Sequence, residues 1–174
     1  KSVCSRYIDK CDNIYNLRIF GAYGKYENYR FKFISNAIVK NLLRLPIEIM
    51  QNVFFDYIDI DDMVPMISHF IENDGKYRTY NISKGEKTDL VSLANSINSV
   101  SDFQSEIIVK NPGLNLEYTS SNVRIRGEFP CSFSTHYETI QKLTEYYREI
   151  LPQINADEIR GDALAKKIAV AQAK

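Results

Sequence analysis

Carboxylates crowd residues 53–63, VFFDYIDIDDM, where Asp56, Asp59, Asp61 and Asp62 stand among three aromatic rings. A calcium loop needs a glycine and a distal glutamate at set offsets, and this stretch has neither, nor an adjacent histidine. The spacing therefore predicts no metal site. It places Asp61 or Asp62 where a strand hands over to a helix, a position in which a carboxylate accepts from free backbone N–H groups and complements the helix dipole. Asp56 is different. In strand phasing Phe54, Asp56, Ile58 and Ile60 face one way and Val53, Phe55, Tyr57 and Asp59 the other, so Asp56 lies within an apolar strand and needs a partner. The other chemistry-bearing residues are sparse. Cys4, Cys11 and Cys131 are odd in number and lack ligand spacing, and His69 and His136 stand far from them, so the thiols read as bystanders.

The whole chain bounds what these residues can serve. Its 174 residues are 44% hydrophobic and 12% aromatic, a size and composition that can bury a core. With 22 basic against 22 acidic side chains, and the basic ones scattered, no nucleic-acid partner is expected. Charge interrupts every apolar stretch, so no membrane span is expected, and without a signal-type segment the expected location is cytoplasmic.

Helical and strand patterns alternate along the chain. Val3, Tyr7, Ile8 and Cys11 predict a helix over 2–12, and the apolar run NLRIFGAYG predicts a buried strand ended by Gly21 and Gly24. The stripe Phe33, Ile34, Ala37, Ile38, Leu42, Leu43 predicts a helix ended by Pro46. IEIM and VFFDYIDI read as two short strands joined by a turn at Gln51-Asn52. A helix follows over DDMVPMISHFIEND, with Pro65 in its first turn and Gly75 ending it. Then come strand YRTYNIS, a turn at Lys84-Gly85, a helix from 88 to 100 capped by Thr88, strand SEIIVKN, a turn at Pro112-Gly113, strand LNLEYT and the helix HYETIQKLTEYYREI. This alternation predicts an α/β layer architecture. Beyond Pro152 the Ala-rich tail reads as a terminal helix.

The ordered set RIFGAYG, an aromatic loop, FKFISNAIVKNLL, PIEI, FDYIDIDDM and YNIS resembles the C-terminal half of the NAD-dependent epimerase/dehydratase family, the extended short-chain dehydrogenases that act on nucleotide sugars. Asp56-Tyr57-Ile58 and Asp61 match its arginine-aspartate-aromatic stretch, and the resemblance runs from residue 1 to about 150. It implies an α/β fold: the C-terminal part of a Rossmann-like extended short-chain dehydrogenase with its small α/β substrate-binding domain. Residues 1–24 would end the Rossmann-type domain, 25–151 would be mainly substrate-binding, and 152–174 a helical tail.

The resemblance also implies roles. The family uses a Tyr-x-x-x-Lys pair and a glycine-rich cofactor turn. No such turn occurs in the 174 residues. By spacing, Lys1 would be the motif lysine, lowering the tyrosine's pKa and holding the nicotinamide ribose, although a chance exposed lysine has the same position. Ile19, Phe20 and Gly21 would run beside the nicotinamide, and Gly21 beside substrate phosphates too, unless Gly21 is simply a strand-ending glycine; the family usually has asparagine there. Glu48 and Met50 would line the nucleoside pocket, Tyr57 would lie against substrate, and Lys110 would meet a phosphate. Phe55 replaces the family's diphosphate-binding arginine, which Arg30, Arg124 or Arg126 could compensate. The implied cofactor is NAD or NADP in the full-length protein, with none bound by this stretch alone, and the implied partners are a nucleotide sugar and a second copy in a homodimer. Two other expectations stand beside this one: a ligand-binding module that kept the fold and lost the chemistry, and a dimerisation module using the apolar stripe of 2–12.

Overall fold

The computed structural model describes residues 2–8, 11 and 13–161. In chain order the elements are α1 (Ser2–Ile8), β1 (Asn16–Ile19), β2 (Ala22–Tyr23), α2 (Phe33–Leu42), β3 (Ile47–Asn52), β4 (Phe54–Phe55), β5 (Ile58–Asp59), α3 (Ile60–Glu72), β6 (Thr79–Ile82), β7 (Thr88–Asp89), α4 (Leu90–Ser99), β8 (Ile107–Leu114), α5 (Val123–Arg126), α6 (His136–Ile150), a 3-10 turn (Leu151–Gln153) and α7 (Ala156–Arg160). They form two units, each threaded from three stretches of chain. One takes residues to Tyr23, Val53–Thr88 and Leu116–Ser134; the other takes Gly24–Asn52, Asp89–Asn115 and the chain from Thr135.

In the first unit β1 and β6 pair in parallel from Asn16↔Thr79 to Ile19↔Ile82, and β2 pairs in parallel with β5. Strand alternation sends Tyr80 and Ile82 inward. There α3 brings Met63, Met66 and Phe70, one helical stripe, onto them together with Ile58 and Ile125. Phe70 and Tyr80 rings lie 4.4 Å apart, and the Tyr80 hydroxyl donates to Glu128 at 2.7 Å. The cap of α3 is Asp59, whose carboxylate accepts from Asp61 N, rather than Asp61 or Asp62. Extended backbone at Asp59 lets the helix begin two or three residues earlier than the carboxylate pattern suggests. Asp62 instead accepts from the amide and hydroxyl of Ser134. The earlier start also moves Pro65 beyond the first turn, and the helix ends at Glu72, before Gly75.

In the second unit β3 and β8 are parallel partners, Ile47↔Ile107 onward, with α2, α4 and α6 packed on one another and α2 and α4 also on β3. Ile47 and Ile49 are buried while Glu48 and Met50 face away from that core. Asn41, buried, donates through Nδ2 to Asn98 Oδ1, Phe103 O and Ser105 Oγ, which pins α2 to α4 and to the approach to β8. The helix α6 opens on a capping box between Thr135 and Glu138.

Several expected elements differ. The helix over 2–12 is described only as Ser2–Ile8, and NLRIFGAYG splits into β1 and β2 because Gly21, at φ +30, turns the chain between them. Gln51-Asn52 is no hairpin turn. β3 runs through it, and Asn52 spends its side chain on the start of α4, donating to Asp89 Oδ1 and accepting from Val91 N. Asp89, not Thr88, caps α4. Pro112-Gly113 does not reverse the chain either: Gly113 at φ +79 accommodates a register shift opposite Gln51/Asn52, and β8 continues to Leu114. The strand LNLEYT is reduced to a bridge, Phe55↔Tyr118.

Glu27, in the loop after β2, accepts from the Ser35 hydroxyl at 2.5 Å. Burial raises its carboxyl above the usual 4.5, against the opposing pull of Ser35 and Lys32. The folded chain therefore holds this proton more tightly than the unfolded chain does, so the stabilisation is complete below about 4.5 and is lost as pH rises through the raised value. Glu27→Gln should raise Tm at pH 7 and show little difference at pH 4; parallel Tm–pH curves for the two proteins would disprove this.

Candidate functional site

In the first unit Gly21 meets the link between β4 and β5 in a close backbone contact. A Cβ on Gly21 would lie 2.5 Å from the Asp56 carbonyl oxygen and 3.1 Å from Tyr57 Cδ1. The Gly21 carbonyl in turn accepts from Ile58 N at 3.2 Å. The glycine is thus demanded by backbone contact and by its positive φ.

Asp56 is 1% exposed and finds its partner in main chain. Its carboxylate accepts from Lys84 N at 3.0 Å and from Gly85 N at 3.1 Å. Gly85 at φ +78 turns these successive N–H groups onto one acceptor. Burial raises the Asp56 carboxyl, while hydrogen bonds from the Ser83 hydroxyl and from the Gly85, Lys84 and Glu86 amides pull it down. VFFDYIDI therefore breaks into two strands, because Asp56 turns to a loop rather than to a neighbouring strand.

Aromatic rings surround this joint. Phe55 packs against Tyr57 at 5.1 Å and Tyr118 at 5.9 Å, Phe20 meets Tyr118 at 5.1 Å, and Tyr23 meets Tyr57 edge-on at 5.8 Å. From this belt a cavity of about 580 Å³ extends along β1, lined by Ser5, the strand itself, Phe20 and Tyr118. Ile19 is 46% exposed into solvent at the strand's C-terminal end. The structure so brings Ile19 and Phe20 to one cavity and sets Gly21 against Tyr57. Lys1 lies outside the described residues.

Within the second unit Glu48, Met50 and Lys110 share the β3–β8 sheet. Glu48 sits between two ammonium groups, 2.9 Å from Lys110 Nζ and 3.4 Å from Lys40 Nζ. Met50 is 40% exposed. Arg30 pairs instead with Glu158 at 2.9 Å. Arg124 donates to the Thr79 carbonyl, and Arg126 lies over the Phe133 ring.

Sequence reasoning overlooked Arg18, Asn16, Ser5 and Tyr118 as cavity residues. The signal for Arg18 was present: one guanidinium in an otherwise apolar run. Tyr118 had none, since a bridge to Phe55 places it.

Parallel strands with intervening helices make a Rossmann-like α/β fold. Solved structures share it. UDP-glucuronic acid 4-epimerase from Bacillus cereus, in complex with UDP-glucuronic acid and NAD, matches 86% of this chain and 50% of its own at a TM-score of 0.67 and 16% identity. RMD from Pseudomonas aeruginosa complexed with NADPH matches 85% of this chain and 53% of its own, at 0.69 and 14%. UDP-glucose 4-epimerase from Thermotoga maritima with UDP-glucose covers 78% of this chain, at 0.66 and 17%. Residues 1–83 match the model of the NAD dependent epimerase/dehydratase family. ADP-L-glycero-D-manno-heptose-6-epimerase from Brachyspira hyodysenteriae is 30% identical over 108 residues, 55% of this chain. The chain spans 34% of that relative's length. No helix among the described residues is long and apolar enough to cross a membrane.

Proposed function

We propose that this chain is the substrate-binding C-terminal part of an NAD(P)-dependent nucleotide-sugar epimerase or dehydratase, inactive by itself and cytoplasmic. The observation that carries the proposal is the cavity ending at Ile19 and Phe20, at the C-terminal end of a parallel strand, where open α/β sheets take their ligands. The residues present suit one wall of a nicotinamide-ribose site: apolar Ile19 and Phe20 backed by the Tyr118 ring. They do not include a glycine-rich phosphate turn. NAD or NADP, when bound to the complete enzyme, would supply hydride transfer. This chain's part would be to exclude water along β1 and to offer the Lys1 ammonium to the ribose and to a catalytic tyrosine.

In the same proposal residues to about 24 close the Rossmann-type part, and residues 25–151 are mainly substrate-binding, with a helical tail beyond. The Asp56-Tyr57 stretch and its helix, which lie in the first unit, would be the link between cofactor and sugar domains. Gly21 and Tyr57 would contact substrate in that link. Arg30, Glu48, Met50 and Lys110 would contact the nucleotide sugar, with Met50 exposed for a base and Lys110 near enough to Glu48 to trade that ion pair for a phosphate. The enzyme would be a homodimer.

Calorimetric titration with NAD and UDP-glucose tests this on the 174-residue chain and on the product of the whole reading frame. The whole product should bind NAD and the shorter chain should not; a whole product that binds neither ligand overturns the proposal. That result would favour a non-catalytic module, the reading supported by Phe55, whose ring fills the aromatic belt where the family places its phosphate-binding arginine.

A further inference from the structure

The β1–β6 sheet carries a second cavity, about 260 Å³, lined by Arg18, Thr79, Asn81, Ser121, Val123 and Arg124. Register explains the first three. Arg18 and Asn81 are cross-strand partners and Thr79 stands two residues before Asn81, so all three leave one face of the sheet while Tyr80 and Ile82 enter the core. The chain around α5 supplies the rest and is anchored there. Asn81 Nδ2 donates to the Ser121 carbonyl at 3.0 Å, and Arg124 Nη1 donates to the Thr79 carbonyl at 3.0 Å. The Arg124 guanidinium also lies 4.7 Å over the Tyr77 ring, so two contacts fix its plane.

Among the described residues the lining contains two guanidiniums, two hydroxyls and a carboxamide, and no aspartate or glutamate. Thr79 occupies one of the five N–H donors of Arg124, and an arginine fork matches the spacing of phosphate oxygens. We propose that this cavity binds a phosphate group, as the free ion or as the phosphate of a small monoester, between Arg18 and Arg124. The cavity includes the first residue of β6 and, among the described residues, shares only Arg18 with the larger cavity. Ligands of open α/β sheets sit beyond the last residues of the strands, so this site is additional to the one proposed above and does not depend on it.

The test is calorimetric titration of the 174-residue chain with sodium phosphate, AMP, glucose 6-phosphate and sodium acetate, at ionic strength held constant with chloride. Saturable phosphate binding is expected, weakened about tenfold or more in Arg18→Gln, with a smaller loss in Arg124→Lys, which keeps the charge but not the fork. Tighter binding of AMP or glucose 6-phosphate than of phosphate would identify a monoester; the reverse order would identify the free ion. Non-saturable phosphate binding, acetate binding as tight as phosphate, or unchanged affinity in either folded variant overturns the proposal. Thermal unfolding establishes that each variant is folded, and should Arg18→Gln fail to fold, Arg124→Lys decides alone.

Discussion

Asp56→Ala should destabilise the chain by roughly 3–5 kcal/mol, because two backbone N–H groups lose a charged acceptor and remain where water does not replace it. Those donors are Lys84 N and Gly85 N, and the carboxylate that takes them is 1% exposed. The damage should spread beyond one turn. Asp56 ties the β4–β5 link to the loop after β6, so its loss frees Gly85 and with it Asn122, which donates to the Ser83 carbonyl at 3.0 Å and lies close against Gly85. Asp56→Asn keeps one acceptor oxygen but turns an NH₂ toward the same donors, and about 1–3 kcal/mol is expected. Urea unfolding would show a lowered midpoint with an unchanged slope for both variants. An alanine variant within about 0.5 kcal/mol of the parent would mean that Asp56 is retained for ligand rather than for the fold.

Gly21→Ala is expected to cost about 3 kcal/mol or more, for two reasons that add. A non-glycine residue at a positive φ of this kind pays about 1–2 kcal/mol. The new methyl group would also stand 2.5 Å from the Asp56 carbonyl oxygen, a main-chain atom that cannot move aside as a side-chain tip would. Relief requires β2 to retreat from β5, stretching the 3.2 Å bond from Ile58 N to the Gly21 carbonyl. Gly21→Asn should be penalised nearly as much: asparagine tolerates left-handed backbone better, but its Cβ meets the same oxygen. This is the physical content of the departure from the family's usual asparagine. Here the Asp56-Tyr57 backbone has come too close for any side chain. Hydrogen exchange at Ile58 N would report the retreat directly, and unaltered protection in Gly21→Ala would sink the argument.

The candidate site was partly legible. Ile19 and Phe20 were identified through the family resemblance and do border the larger cavity, as does Arg18, which alternation in β1 turns away from the buried face. Tyr118 could not be found from its neighbours in sequence, since its place comes from main-chain bonds to Phe54 and Asp56. The expected strand through LNLEYT failed for the same reason. Asn115 N bonds to the Asn52 carbonyl, and after it the chain leaves β8 to meet Phe55.

What the sequence determined by itself was whatever is decided within about one helical turn. HYETIQKLTEYYREI forms α6 over His136–Ile150, the span its pattern predicts, because Thr135 and Glu138 close the N-terminus on each other and the apolar stripe Ile140, Leu143, Tyr147 follows at helical spacing. The stripes of α2, α3 and α4 were legible on the same grounds, to within a few residues at their ends. Only the tertiary structure decided how polar turn-forming residues were spent. Asn52 became a helix-start ligand instead of a hairpin turn, Gly113 a bulge instead of a reversal, and Asp56 an anchor for amides 28 and 29 residues away. Each of these residues has several local conformations of similar energy, and the choice among them belongs to a hydrogen-bond partner that chain folding brings from a distance.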